Sequence, residues 1–280
     1  AALADPIVNP PLSSPKPETS SIGDTASRPP EVSPHSDVVM TIISKNYLAH
    51  ARALMHSVKA QHAELTLVTV LVDEIDGYFD PADEPFQILM AHDLAIPNWP
   101  HFSMKYDIME LNTAVKPYAI QYLMESLNVS RVVYFDPDIL IYGSLDPLFR
   151  LLEQSLCVIT PHITAPLNDD RLPAELDFLR VGTYNLGFFA ISQNGDWRGL
   201  LSWWKDRLYE NCTREVHRGL FVDQRWIDLV PGLFDGVHVL RDPNYNVAYW
   251  NLASRRMAVD ESGNFTVNGI FNVSATGASV

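Results

Sequence analysis

Apolar residues run without interruption through several short stretches of this chain. The first, Val38-Val39-Met40-Thr41-Ile42-Ile43, is rich in β-branched side chains at successive positions, so an extended segment here would bury both faces. Residues 44–47 supply a polar turn, and the spacing of Leu48, Ala51, Leu54, Met55 and Val58 predicts a helix over 48–62. Residues 65–72 form a second buried strand that stops at Asp73-Glu74. A strand, a helix and a strand in this order make a βαβ unit with a parallel pair. Residues 74–102 hold several Pro, Asp and Glu, show no period and are expected to be irregular. Helical spacing returns over 103–127 through Tyr106, Met109, Leu111, Val115, Tyr118, Ala119, Tyr122, Leu123 and Leu127, with Pro117 set to break or open a helix near the middle. A third apolar strand, 129–135, leads straight into Asp136-Pro137-Asp138. Further strands are predicted at 156–160, 186–192 and 237–240, and helices over 197–210 and 222–230; no internal repeat is present.

Strands that alternate with helices, the first of them buried on both faces, predict an α/β fold: an open, mostly parallel central sheet flanked by helices. Ligands of such sheets bind beyond the carboxyl ends of the strands. Those ends are Ser44-Lys45-Asn46, Asp73-Glu74 and Asp136-Pro137-Asp138, so three polar clusters are expected on one rim.

Composition sets limits on this picture. A chain of 280 residues, 47% of them hydrophobic, holds one large domain or at most two small ones. Residues 1–36 stand apart: they are rich in Pro, Ser, Thr and Ala, carry Pro10-Pro11, Pro15, Pro17, Pro29-Pro30 and Pro34, and have no apolar period. They are expected to be a disordered tail or linker, with the folded domain over 37–280. No apolar run reaches the roughly 18 residues of a membrane span, and no basic region followed by an apolar stretch opens the chain, so neither an anchor nor a signal peptide is expected. The absence of an initiator Met is expected of a processed or trimmed chain. The chain is expected to be cytoplasmic, or peripheral at the inner membrane. A net charge of −14 weighs against nonspecific nucleic-acid or anionic-membrane partners, which need a basic surface. An acidic protein that binds a phosphorylated ligand must neutralise the phosphates locally, for which a divalent metal is suited. Cys157 and Cys212 make no framework and read as reduced thiols. The Asn-x-Ser/Thr triplets at Asn128, Asn211, Asn264 and Asn272 read as chance in an intracellular chain.

Asp136 and Asp138 carry the sharpest local signal. Residues two apart in an extended segment point to the same side, so both carboxylates can reach one hard cation, Mg²⁺ or Mn²⁺, and through it a diphosphate. Asp-x-Asp is also a common turn after a strand, and that alternative stands beside the metal site.

In this order of segments the chain resembles the GT-A glycosyltransferases with a DxD motif, and most nearly the group that includes glycogenin and the bacterial lipopolysaccharide galactosyltransferases, family eight. Thr41-Ile42-Ile43-Ser44-Lys45-Asn46-Tyr47 resembles the first strand and nucleotide-contacting turn. Asn112-Thr113-Ala114-Val115-Lys116-Pro117-Tyr118 resembles the helix whose basic residue faces the donor phosphates, and Val132-Val133-Tyr134-Phe135-Asp136-Pro137-Asp138-Ile139 the DxD strand. Tyr184-Asn185-Leu186-Gly187-Phe188-Phe189-Ala190-Ile191 is similar to the strand that floors the sugar pocket, and Phe221-Val222-Asp223-Gln224 to the element near the reacting carbon. The segment from Asp242-Pro243-Asn244-Tyr245-Asn246 to Tyr249-Trp250-Asn251-Leu252 is similar to a late segment of bacterial members.

The resemblance implies a sugar transferase with a nucleotide-diphospho-sugar donor, a UDP-sugar before others, a glycan, lipid or protein acceptor, and retention of anomeric configuration. It implies Asp136 and Asp138 as metal ligands, Thr41, Ser44, Asn46, Asp73 and Lys116 as further donor contacts, and Asn185, Asp223 and Gln224 as the residues that hold the sugar. It also implies a metal-binding His followed by a Lys near the C-terminus. Here Val267-Asn268-Gly269-Ile270-Phe271-Asn272-Val273-Ser274-Ala275-Thr276-Gly277 holds neither, and His238 falls inside an apparent strand. A chain trimmed before that element, a metal shell completed by water, and an impaired site are the alternatives.

Each segment also has a structural reading. Asn185 and Gly187 can shape a turn, Asp223 can sit in a helix's first turn where an acid suits the dipole, and Lys116 can be a solvated charge. Trp203, Trp204 and Trp226 can stack on acceptor sugars, but helix-face packing is expected for at least two of them. Two rival functions follow. A haloacid-dehalogenase-type phosphatase also uses Asp-x-Asp after a strand, normally the first strand and with Thr or Val two residues on, where Leu140 stands here. A catalytically impaired module of the same fold, binding sugar nucleotides or purely structural, is the second.

Overall fold

A computed structural model describes residues 30–168, 170–271 and 274–276 of the protein; of the tail expected over residues 1–36, residues 1–29 lie outside them. The strands are β1 Asp37–Ile43, β2 Thr66–Leu71, β3 Gln87–Met90, β4 Arg131–Phe135, β5 Ile139–Ile141, β6 Cys157–Pro161, β7 Tyr184–Ser192, β8 Val237–Val239, β9 Met257–Val259, β10 Phe265–Val267, β11 Ile270–Phe271 and β12 Ser274–Thr276. The helices are α1 Leu48–Gln61, α2 Trp99–Lys105, α3 Ile108–Ala114, α4 Lys116–Gln121, α5 Asp146–Leu152, α6 Glu175–Val181, α7 Trp197–Asn211, α8 Gln224–Ile227 and α9 Val230–Leu233.

Seven strands form the central sheet in the order β3-β2-β1-β4-β7-β6-β8. Six run the same way, and β7 alone is antiparallel to both its neighbours, β4 and β6. The expected mostly parallel α/β sheet is therefore present. Its two-sided burial explains the continuous apolar runs. Val38, Met40 and Ile42 face a layer built from α2, α3, α4 and α7, whereas Val39 and Ile43 face α1 and α5. Each fully buried Leu, Ile, Val or Met contributes about 1.5–3 kcal/mol of transfer free energy, and both faces hold many.

Four details depart from the sequence pattern. The stretch expected to be irregular contains β3, an edge strand paired to β2 from Val68↔Gln87 to Leu71↔Met90. The helical stretch over 103–127, expected to break or reopen at Pro117, does reopen there as α4, but it is also broken once more, between α2 and α3. Asp107 caps α3 by accepting from the Glu110 N–H, with the Glu110 carboxylate reaching back to the Asp107 N–H, and this capping box starts a new helix. Pro117 then stands in the first turn of α4, where its missing N–H costs nothing. The α5 and α6 helices, too short to show a period, are additional. Residues 30–36 lie against the sheet: Val32 packs on the core and the His35 N–H donates to the Asn128 carbonyl at 2.8 Å.

Because β7 is reversed, the connection 162–183 leaves the rim at the end of β6 and returns to the same rim at the start of β7. It carries α6, whose Phe178 is buried.

Candidate active site

The order of strands reverses between β1 and β4: β2 and β3 extend the sheet on one side, the later strands on the other. The crevice outside the carboxyl ends at such a reversal is where open α/β sheets bind ligands. Residues 44–46 after β1 and 136–138 after β4 flank it. The start of β7 adds to the same rim, since Phe135 pairs with Phe188 and the Asp136 N–H donates to the Gly187 carbonyl at 2.7 Å.

Asp136 is fixed from two sides. Its Oδ1 accepts from the Tyr134 hydroxyl at 2.5 Å. Its Oδ2 lies where a Cβ at Gly187 would come within 2.8 Å, with the Asn185 Oδ1 at 2.9 Å from the same point. Glycine at 187 is thus what lets the carboxylate lie against the β7 backbone. Asp138 is partly buried; desolvation, reinforced by the charge of Asp136, pushes its carboxyl up to about 6. Two carboxylates this close suit a hard divalent cation, which relieves the repulsion. Among the described residues no group of three His, Cys, Asp or Glu side chains converges to hold a metal. The pair therefore fits as part of a coordination shell, with water or phosphate oxygens supplying the rest. The C-terminal strand β12 runs beside β5 immediately after Asp138, and residues 274–276 there are Ser, Ala and Thr.

Lys116 and Asp223, 107 positions apart, meet in the interior. The Lys116 ammonium lies 2.6 Å from the Asp223 Oδ2, donates to the Leu186 carbonyl at 3.0 Å and sits 4.2 Å from the centre of the Tyr134 ring. Both side chains are almost fully buried. Burial raises the Asp223 carboxyl and the lysine only partly offsets this. Lys116 thus faces Asp223, where the resemblance implied that it faces donor phosphates, and it is not a solvated charge. The preceding Val222 has φ +40°, a conformation that is an outlier for a β-branched residue and costs about 1–3 kcal/mol. Such strain concentrates at working sites, and here it delivers Asp223 and Gln224 to the interior.

Gln224 and Asn185 are joined. The Gln224 Oε1 accepts from the Leu186 N–H at 3.2 Å and from the Asn185 Nδ2 at 3.3 Å, while its Nε2 donates to the Val181 carbonyl at 3.3 Å. Gly182, with φ +125°, leaves the space that Gln224 occupies; a Cβ there would stand 3.1 Å from the Gln224 Cβ. The third partner is His162, which sequence reasoning missed. Its Nε2 faces the Asn185 Nδ2 at 3.3 Å. Its position directly after a buried strand, at the same rim as the Asp pair, is the one signal that could have found it.

On the other side of the crevice the Asp73 carboxylate accepts from the Lys45 N–H at 3.0 and 3.2 Å, and the Ser44 hydroxyl donates to the Asn46 Oδ1 at 2.5 Å. Ser44, Asn46 and Asp73 are therefore together on the rim. Thr41 is not: it is wholly buried in β1 opposite Thr69, on the sheet face that packs against α1. Its interior position in the strand, two residues before the strand's end, keeps it from a ligand outside that end. The late segment lies under the end of β6, where Asn251 donates to the His162 carbonyl at 3.1 Å and Asn246 to the Thr160 hydroxyl at 3.3 Å. Trp204 is fully buried, and Trp203 and Trp226 pack at the margin of the same core. His238 is paired opposite Val158 in β8.

No protein-family model matches the chain. The chain is 26% identical over 217 residues, 75% of its own length and 71% of the relative's, to Uncharacterized protein YfnF of Bacillus subtilis (strain 168). Among solved structures, the glycosyltransferase GlyE of Streptococcus pneumoniae TIGR4 superposes with a TM-score of 0.47 at 15% identity over 75% of this chain, which spans 46% of the length of GlyE. The galactosyltransferase LgtC, solved in complex with donor and acceptor sugar analogues, gives 0.49 at 18% identity over 86% of each chain. A glycosyltransferase involved in the glycosylation of the major capsid of PBCV-1 gives 0.50 at 10% identity, covering 88% of this chain and 95% of that one. This last likeness is one of fold: the sheet described above is one on which a glycosyltransferase is built.

Proposed function

We propose that the chain transfers a sugar from a nucleotide-diphospho-sugar, a UDP-sugar before others, to a glycan, lipid or protein acceptor, with retention at the anomeric carbon. The observation that carries this reading is the Asp136/Asp138 pair at the strand-order reversal, with Asp136 locked by Tyr134 and seated against Gly187. Asp136 and Asp138 would hold a Mn²⁺ or Mg²⁺ ion. Such an ion, when bound, would supply charge neutralisation for the departing diphosphate.

The remaining steps belong to the chain's own side chains. Ser44, Asn46 and Asp73 line the nucleotide side of the crevice. Asn185 and Gln224 fix the sugar, so that the acceptor meets the reacting carbon in one orientation; such positioning is a large part of catalysis in a closed site. The buried Asp223 carboxylate faces Lys116 and places a negative charge behind the carbon that develops oxocarbenium character. Lys116 holds that carboxylate and the Leu186 carbonyl in place.

The test is nucleotide release from a panel of UDP- and GDP-sugars with Mn²⁺. We expect one donor to turn over, and the Asp136→Ala plus Asp138→Ala protein to lose at least about 100-fold in rate, the scale of removing an electrostatic stabiliser. Release unchanged by the double substitution would remove the pair from the mechanism. The absence of a third protein ligand among the described residues favours a second reading, a sugar-nucleotide-binding module without turnover. Calorimetric binding of a UDP-sugar with no release over hours selects that reading.

A further inference from the structure

We infer that His162 sets the orientation of the Asn185 side-chain amide, and so acts as the positioning residue of the sugar side of the site; the kinetic part of this inference rests on the sugar-transfer reading above. The imidazole is buried at the end of β6, stacked on Phe178 of α6 at 5.1 Å between ring centres and met edge-on by Trp250 at 5.7 Å. It has no room to flip without moving both. Its Nδ1 faces the Thr183 carbonyl at 3.3 Å. A carbonyl only accepts, so Nδ1 carries the proton. Burial depresses the ring to about 4, so it is neutral near pH 7 and Nε2 is bare.

A bare Nε2 admits one orientation of its neighbour. Asn185 must present its NH₂ to Nε2, which turns its Oδ1 to the Gly187 N–H at 3.2 Å. The second Nδ2 hydrogen then goes to the Gln224 Oε1, and the Gln224 NH₂ goes to the Val181 carbonyl. Each donor in this chain meets an acceptor, in one direction only. Reversing the His162 tautomer would set Nε2–H against the Asn185 NH₂; an Asn185 amide turned to meet it would take its Oδ1 from the Gly187 N–H and its NH₂ from Gln224, whose own amide stays anchored by the Leu186 N–H and the Val181 carbonyl. The atoms that Asn185 offers to a sugar are therefore chosen by a residue that does not itself face the sugar.

Two measurements test this. On uniformly ¹⁵N-labelled full-length protein at pH 7, two-bond ¹H–¹⁵N correlations should show His162, assigned by its loss in His162→Gln, as the neutral Nδ1–H tautomer; an Nε2–H pattern or a charged ring overturns the inference. In kinetics with the donor found above, His162→Leu should lower kcat by about 100-fold, the cost of misplacing a positioned group, with donor KM within about two-fold. His162→Gln keeps an acceptor and a donor and should lower kcat only a few-fold. Wild-type kcat in His162→Leu, or a loss confined to KM, overturns the inference. Should His162→Leu fail to fold, His162→Asn, one methylene shorter, replaces it with the same expectation. Should the wild-type chain turn over no sugar nucleotide, the functional reading fails. The inference is then decided by the tautomer and by the Asn185 side-chain amide resonances: these must shift in the Leu or Asn variant, and unmoved resonances overturn it.

Discussion

At the scale of single residues, Asp138 links the site to pH. Its folded carboxyl is raised to about 6 from an ordinary value near 4. Between these two values the native state binds more protons than the unfolded chain, so this group's contribution to stability falls as pH rises from about 4 to about 6. A cation bound by the ionised pair acts in the opposite sense, because it competes with the proton. We expect the rise in Tm produced by saturating Mn²⁺ to be small at pH 5, to grow up to pH 7 and to vanish in Asp138→Asn. Scanning calorimetry across that range checks it; a Mn²⁺ effect independent of pH would place the ion elsewhere. Rim residues such as Ser44, Asp73 and Asp136 were legible in the sequence because each ends an apolar run. Lys116 and Asp223 were visible as residues but not as a pair, since no local pattern records a contact across 107 positions. His162 was missed for a related reason: its place after a buried strand marks the rim, but not the burial of its ring or its partners.

Among the elements, the contact of β4 with β7 does the most for the site. It brings Asp136 to Gly187, and the space there admits no side chain. Gly187→Ala would set a methyl group 2.8 Å from the Asp136 Oδ2, so the carboxylate must turn away. We expect the variant to fold with its far-ultraviolet dichroism intact and to lose at least about ten-fold in Mn²⁺ affinity, equivalent to about 1.4 kcal/mol. Wild-type Mn²⁺ affinity by calorimetry would show that this close approach is idle. The strands that build the contact were readable as apolar runs. The edge strand β3 was not, because only three successive apolar residues, Ile88, Leu89 and Met90, mark it among the surrounding acids and prolines. Short helices escape periodicity for the same reason, whereas the break before α3 is written in Asp107 and Glu110, a capping signal that the apolar spacing on either side conceals.

For the whole molecule, charge is the dominant long-range quantity. A net −14 repels itself, and the repulsion is screened as the Debye length falls from about 30 Å at 0.01 M salt to about 8 Å at 0.15 M. Tm is therefore expected to rise over that interval of NaCl at pH 7, measured by calorimetry without divalent ions. A falling Tm would mean that attractive pairs, such as Arg131 with Asp37 at 2.6 Å, outweigh the net charge. No helix among the described residues is long and apolar enough to cross a membrane. The sheet class was legible from the alternation of strands and helices, but strand direction was not: nothing in the residues of β7 marks it as the one that runs backwards. That reversal has a consequence for how such a protein can diversify. Residues 162–183 begin and end at the same rim, so the part of this stretch between His162 and Phe178 can change in length without moving the hydrogen-bond register of β6 on β7, while His162, Phe178 and residues 181–183 stay tied to Asn185 and Gln224. What approaches the crevice from that side can therefore be altered separately from the side built on β1, β2 and β4.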